Sequence, residues 1–264
     1  MKSPIKWIGG KSKSLKYLLP LIPVHEGYVE VFGGAGWLIF GKEPSKWEVL
    51  NDLDDNLSNF WNVLKNHEIE FIKSFDFEVI SRTIFNEYKK IYITKKYNDN
   101  IQQAHILYYL LKAGTSGRLP DGGGCGFGRC KGKSRLRLDK TPKDIIMSHQ
   151  RLINVSIECR DFKDIIKFYD TNKTFFYLDP PYRSNSCAPY PVGKFTDDDY
   201  TDLYNLCSNM KGNFLLSINN DNFINSLFSK FNITKINVPY CGSIKQKGRE
   251  KYAELIITNY KLIN

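Results

Sequence analysis

The sequence has no C-x-x-C pair and no apolar run near the ~20 residues that span a bilayer. Its six cysteines, Cys125, Cys130, Cys159, Cys187, Cys207 and Cys241, are scattered, several of them inside apolar periodic segments where core thiols sit. A zinc site is therefore not expected, Cys125 and Cys130 being the one faint candidate pair, and no metal is assigned. Lysines 2, 6, 11, 13 and 16 precede an apolar stretch at 17–24 in the manner of a secretion signal. Pro20 and Pro23 break that stretch and no small-residue cleavage site follows, so the chain is expected to be cytoplasmic, with no membrane partner. Two nucleotide signatures are also incomplete. Gly34-x-Gly36 is followed by Ile39 where a dinucleotide fingerprint needs its third glycine, and Gly9-Gly10-Lys11 lacks the glycine spacing and preceding strand of a phosphate loop.

What is present is charge and apolar bulk. With 264 residues, 42% hydrophobic and 14% aromatic, the chain can bury a core, which excludes global disorder. Lys and Arg number 38 against 28 Asp and Glu, a net charge of +10 that points to a polyanionic partner, nucleic acid before an anionic membrane surface. The excess is local. Between positions 129 and 143 seven basic residues (Arg129, Lys131, Lys133, Arg135, Arg137, Lys140 and Lys143) face one acid, Asp139, a net +6. The first five alternate, so in a β-ribbon they would share one face. The stretch reads either as a solvated loop or as a phosphate-contacting stripe, and self-repulsion favours the second. It lies in the segment 114–143, which has neither helical nor simple strand character; eight of the nineteen residues at 114–132 are glycine.

Strand-like runs separated by helical patterns flank this middle, as in a parallel sheet covered by helices. Strands are expected at 28–32, 47–51, 155–159, 175–178, 214–218, 233–238 and 254–258, and helices at 53–65 and 162–169, with a mainly helical pattern over 63–111. Thr196 with Asp199 resembles a capping box opening a further helix, which Gly212 would end.

Three motifs sit at strand ends. The first strand runs into Gly33-Gly34-Ala35-Gly36, a turn that lets backbone approach a ligand and aims amide N–H groups at an anionic group. Asp52, at the tip of the second strand, is placed either to accept from ribose hydroxyls or, like Asp54, to cap the following helix. Asp179-Pro180-Pro181-Tyr182 follows an apolar strand. Two prolines cannot extend a ladder and hold a stiff turn there, at the strand end where open α/β sheets bind ligands. The turn offers a carboxylate, the Pro180 carbonyl and an aromatic ring, a trio suited to a planar heterocycle bearing an exocyclic amine.

The sequence resembles the Dam-type DNA adenine N6-methyltransferases, which use S-adenosyl-L-methionine, and the likeness covers nearly the whole chain. Lys6-Trp7-Ile8-Gly9-Gly10-Lys11 is similar to the family's N-terminal motif, 28–36 to its methionine-binding glycine turn, and Asn51-Asp52 to its acidic second-strand motif. Arg160-Asp161-Phe162 resembles the segment lining the cofactor's adenine, Asp179 to Tyr182 the catalytic motif, and 254–260 the closing strand. The resemblance implies an α/β fold: a Rossmann-like methyltransferase sheet from 1–62 and 152–264, with an inserted, mainly helical DNA-recognition domain at 63–151. It implies catalytic roles for Asp179, Pro180 and Tyr182. Cofactor contacts would come from Trp7, Lys11, Phe32, Gly34, Gly36, Asp52, Asp161, Phe162 and Asp179, and DNA contacts from Lys6, Arg118, Arg129, Lys131, Lys133, Arg135 and Arg137. Gly126-Phe127-Gly128-Arg129 is similar to part of the family's recognition hairpin, but its surroundings differ, so a GATC target is not assumed.

The implied reaction moves a methyl group from S-adenosyl-L-methionine to adenine N6 in double-stranded DNA, with the base flipped into the D-P-P-Y pocket. Alternatives are methylation of cytosine N4 or of an RNA amine, and an inactive DNA-binding relative; an oxidoreductase is disfavoured by Ile39. The expected setting is a monomer in a prokaryotic cell or phage-infected host, with room for a cognate restriction endonuclease.

Overall fold

The structure is a computed structural model that describes residues 1–264 except 8, 116, 121–124, 129–135, 184–192, 240–250 and 263–264; for 237–239 and 251–253 it describes the backbone alone. Seven strands, β1 (Gly27–Glu30), β2 (Trp47–Asn51), β3 (Val155–Glu158), β4 (Thr174–Leu178), β5 (Asn213–Asn219), β6 (Asn232–Pro239) and β7 (Lys251–Thr258), form one sheet in the order β3-β2-β1-β4-β5-β7-β6. The first five are parallel, while β7 runs antiparallel to both β5 and β6. Every expected strand is present, with ends shifted by a few residues.

Parallel pairing requires a crossover, and short helices provide most of them. α1 (Leu15–Leu18) precedes the sheet; α2 (Trp37–Gly41), α8 (Phe162–Tyr169), α9 (Asp197–Asn209) and α10 (Asn222–Leu227) each connect successive strands. Side chains alternate across the sheet with period two. Tyr28, Phe175, Tyr177, Leu215 and Ile256 enter one apolar cluster, and Val29, Phe176, Leu178, Phe214 and Ile257 enter another on the opposite face. Cover on both faces explains why β4, Thr-Phe-Phe-Tyr-Leu, is buried at all five positions and reads as a continuous apolar run.

Between β2 and β3 lie α3 (Asp55–Asn66), α4 (Glu68–Lys73), α5 (Arg82–Thr94), α6 (Asn100–Ala113) and α7 (Thr141–Leu152). α6 is buried without interruption from Ala104 to Leu111, as a helix enclosed by neighbours must be. Phe60, Trp61, Phe71 and Tyr108 meet ring to ring across α3, α4 and α6, and Trp61 also meets Phe40 of α2. These helices thus share one apolar cluster with a sheet face. Of the expected unit boundaries, the one after residue 62 falls inside α3 and the other at the last residues of α7.

Local signals hold in detail. Thr196 and Asp199 form the capping box that opens α9. The helix stops at Asn209, three residues before Gly212, whose absent side chain has a different reason: a Cβ there would lie 2.5 Å from the Thr174 carbonyl oxygen at the head of β4. Cys125 and Cys207 are buried and Cys159 is exposed, while Cys130, Cys187 and Cys241 lie outside the described residues. Among the described residues no helix is long and apolar enough to cross a membrane, and no group of His, Cys, Asp and Glu could hold a metal ion.

The order of the strands fixes where a ligand can enter. β1 and β4 are neighbours, yet the chain leaves β1 towards β2 and leaves β4 towards β5. At such a switch point the connections diverge and a crevice opens at the carboxyl ends of the strands. The glycine turn follows β1 there, and Asp179 to Tyr182 follow β4.

Candidate active site

The turn after β1 is held by the tip of β2. Gly33 N–H donates to the Asn51 carbonyl at 2.7 Å, and Gly34 N–H donates to Asp52 Oδ2 at 2.7 Å. Gly34 and Gly36 have φ of +49° and +62°, a region that strains residues with a Cβ, and the Trp7 ring lies against Gly34. The expectation that these amides reach out to an anionic group is not met for the bonded ones. Gly33 and Gly34 serve the β2 tip, Gly36 N–H donates to the Gly33 carbonyl, and Ile39 N–H donates to buried Glu30. Burial pushes Glu30 up to about 8, so at neutral pH it is mostly protonated.

At the tip of β2 the cap of α3 falls to one of the two acids. Asp54 caps α3 by accepting from Asn56 N–H at 2.9 Å, whereas Asp52 accepts from Gly34 and Asp54 N–H and so ties the glycine turn to the helix entry. With Leu53 N–H as a third amide donor, Asp52 keeps one of its roughly four acceptor positions for a hydroxyl donor. Next to it, the Asn51 side chain exchanges hydrogen bonds with the Arg160 backbone, N–H to Oδ1 and Nδ2 to the carbonyl, both at 3.0 Å. This fixes the start of the segment 160–162. Asp161 caps α8 through Lys163 N–H. Phe162 joins Phe32 and Phe195 in an aromatic group with centroid separations of 5.3 to 5.7 Å. Phe195 is a member that sequence reasoning missed.

After β4, Asp179 meets Lys11, which is only 5% exposed. Lys11 Nζ lies 2.7 Å from Asp179 Oδ1 and 2.9 Å from Glu254 Oε1, and it also donates to the Tyr182 hydroxyl. Tyr182 in turn donates to Glu254 Oε1 at 2.8 Å, so its ring is anchored at the phenol end. Ser217 of β5 donates to Asp179 Oδ1 at 3.4 Å and shares a hydrogen bond with Tyr177. Tyr200 of α9 donates to the Pro181 carbonyl, pinning the second proline of the turn. Both donors to Asp179 fall on Oδ1; among the described residues, Oδ2 is the oxygen left for a ligand.

Glu254 completes this cluster and was missed as a site residue, although its strand was recognised. It stands opposite Asn219 in the antiparallel β5–β7 register. An antiparallel strand enters at the edge where its parallel neighbours end, so the beginning of β7 delivers a carboxylate to the carboxyl edge. The one available signal is an acid at the head of Glu254-Leu255-Ile256-Ile257, a run otherwise buried and apolar.

One cation between two carboxylates leaves the cluster with a net negative charge. Burial pushes the Asp179 carboxyl up to about 6, with Lys11 opposing the rise and Glu254 adding to it. Burial alone would lower Lys11, but Asp179, Tyr182 and Glu254 outweigh it and hold the ammonium well above its ordinary range. Burial also raises Asp52, against the amides of Asp54, Gly34 and Leu53.

The expected DNA-contacting residues are more dispersed. Lys6 is exposed on the approach to Trp7, and Arg118 is half-buried beyond α6. Arg137 is exposed and makes a two-point ion pair with Asp139, at 2.9 and 2.6 Å. Arg129, Lys131, Lys133 and Arg135 lie outside the described residues, as does Ile8 of the N-terminal motif.

Comparison with known proteins agrees with this arrangement. A family model described as D12 class N6 adenine-specific DNA methyltransferase matches residues 7–240. The chain is 25% identical to the type II methyltransferase M1.LlaDCHI of Lactococcus lactis subsp. cremoris, over 97% of this chain and 94% of the relative. It is 27% identical to the type II methyltransferase M.MjaIII of Methanocaldococcus jannaschii over 98% and 99%, and 22% identical to the DNA adenine methylase of Escherichia coli K12 over 73% and 70%. The matched span begins at Trp7 and takes in the glycine turn, the helices between β2 and β3 and the D-P-P-Y turn, most of the sequence, and the chain belongs to the D12 class of N6 adenine-specific DNA methyltransferases.

Proposed function

We propose that the cluster of Lys11, Asp179, Tyr182 and Glu254 is where adenine N6 of a DNA duplex is methylated, with the glycine turn and the Phe32, Phe162 and Phe195 group holding S-adenosyl-L-methionine beside it. The observation that carries this reading is the convergence of the D-P-P-Y turn and Lys11 at the switch-point edge, next to the glycine turn. The residues fit the cofactor chemically. Asp52 can accept from ribose hydroxyls, aromatic rings beside Asp161 suit a purine, and the negative cluster suits a sulfonium. Bound there, S-adenosyl-L-methionine supplies the electrophilic methyl group.

The chain's own residues do the rest. Ionised Asp179 and the Pro180 carbonyl accept the two N6–H bonds, which draws the amine lone pair out of ring conjugation and towards the methyl carbon; once N6 carries the methyl group, one of its protons is lost to solvent. Tyr182, held by its hydroxyl, offers its ring face to the extruded base and offsets part of the few kcal/mol that unstacking costs. Holding both reactants in line supplies the positional part of catalysis. Residues 63–151 carry the DNA-recognition unit, with DNA contacts from Lys6, Arg118 and the stretch 129–137. The enzyme works as a cytoplasmic monomer in a prokaryotic cell or phage-infected host, alone or beside a restriction endonuclease.

Two results are expected. Ionised Asp179 is the stronger acceptor for an N–H, so kcat/KM should fall as pH drops through about 6, the value to which burial raises it. A flat profile from pH 5 to pH 8, checked on duplexes at subsaturating concentration, would count against the role. If five or six basic residues meet phosphates, DNA affinity should fall roughly a thousandfold between ~50 and ~200 mM salt. Neutralising Lys131 and Arg135 together should flatten that slope; an unchanged slope removes the stretch from the interface.

A further inference from the structure

Arg82, Phe85 and Lys89 lie within roughly 60° of one another around α5, on one face of the helix. All three touch the short segment 125–128. Lys89 Nζ donates to the Cys125 carbonyl at 3.1 Å, the Arg82 guanidinium lies over the Phe127 ring at 5.2 Å, and Phe85 meets that ring at 5.5 Å. The other edge of the segment runs along the end of α6. Gly114 and Phe127 form an antiparallel bridge, Thr115 N–H donates to the Gly126 carbonyl at 3.0 Å, and Gly128 N–H donates to the Ala113 carbonyl at 2.8 Å.

Backbone bonds alone specify register weakly in a glycine-rich ribbon, because no alternating side chains oppose a slip. In the described pairing of 113–115 with 126–128, Gly114, Gly126 and Gly128 leave few side chains to oppose a slip. Side-chain contacts from a neighbouring helix supply what the ribbon lacks: one ring seated between a cation and a second ring, and one carbonyl held by an ammonium. In sequence, Arg118 follows the first paired segment and 129–137 follow the second.

We propose that Arg82 and Lys89 are specificity-determining positioning residues: they clamp 125–128 in register and thereby set where the ribbon meets the base pairs. The proposal rests on the reading of 114–137 as the DNA-reading segment. Its test uses the full chain and duplexes carrying the methylated sequence, found by mapping N6-methyladenine in a methylation-deficient host, or single base-pair changes of it. The quantity read is the ratio of kcat/KM on the methylated sequence to that on its neighbours. Lys89→Met and Arg82→Gln should each lower the ratio roughly tenfold, within the discrimination one good base contact provides. Their Tm and affinity for S-adenosyl-L-methionine should stay near those of the unaltered protein. Lys89→Arg, which keeps a donor for the Cys125 carbonyl, should restore the ratio. Arg118→Ala and Arg129→Ala serve as the comparison. If these alter the ratio while Lys89→Met and Arg82→Gln leave it unchanged, the clamp is wrong and the ribbon remains the reader. If none of the four alters it, the ribbon is not the reader and the clamp falls with it. Because Arg82 is exposed, its substitution keeps the test valid should Lys89→Met fail to fold.

Discussion

Asn in place of Asp179 is expected to lower kcat by roughly a thousandfold or more, with DNA affinity little changed. An amide keeps the size of the carboxylate and an oxygen to accept with, but loses the charge that makes the acceptor strong, and preorganised electrostatics of this kind supply about that factor in other active sites. Stability should respond in the opposite direction. Burial raises the Asp179 carboxyl to about 6, above the 3.8 of an exposed aspartate, so the folded state binds the proton more tightly than the unfolded chain. The stability this group contributes is therefore complete below about pH 4 and lost as pH rises through about 6. At neutral pH its charge is a burden on the fold, and Asp179→Asn should not lower Tm. Single-turnover transfer of labelled methyl groups and thermal unfolding at pH 7.5 check the two halves. Unaltered turnover in the variant would remove Asp179 from the chemistry.

Lys11→Met should have the largest effect on stability. Lys11 is the cation between Asp179 and Glu254, and its loss leaves two carboxylates side by side in a buried site. Breaking a buried ion pair from one side costs about 3–5 kcal/mol, which for a chain of this size is a fall in Tm of roughly 10 °C. Adding Glu254→Gln should recover part of it, so that the two changes are non-additive. The same substitution removes the influence that opposes burial at Asp179. Any residual activity should then show its acid limb above pH 6. Thermal unfolding of the two single variants and the double variant checks the coupling; additive losses would show that Lys11 and Glu254 act separately.

The sheet was legible because parallel strands buried on both faces leave unbroken apolar runs, and β4 followed by two prolines marks a central strand ending at a site. The capping box at Thr196 was legible for a related reason: its signal is local. Glu254 was not, because its membership depends on β7 entering antiparallel beside β5, a long-range fact that no spacing encodes. Asp52 and Asp54 could not be told apart from sequence, since both precede the same helix. Only the geometry shows one as the cap and the other as the tie to Gly34. The glycine turn was located correctly but its bonded amides were misjudged. They answer to Asn51, Asp52 and Glu30 inside the protein, because a buried N–H takes the nearest internal acceptor. The contacts of Arg82 and Lys89 with 125–128 were invisible for a different reason: charged residues on a helix read as a solvated face until the loop they touch is seen.

The account stands most directly on one measurement: mapping every methylated base in the DNA of a methylation-deficient host expressing the unaltered chain or Asp179→Asn. The unaltered chain should place N6-methyladenine in a single short sequence context, and Asp179→Asn should leave the DNA unmodified. Modified cytosine, unmodified DNA with the unaltered chain, or equal adenine methylation by both would contradict it.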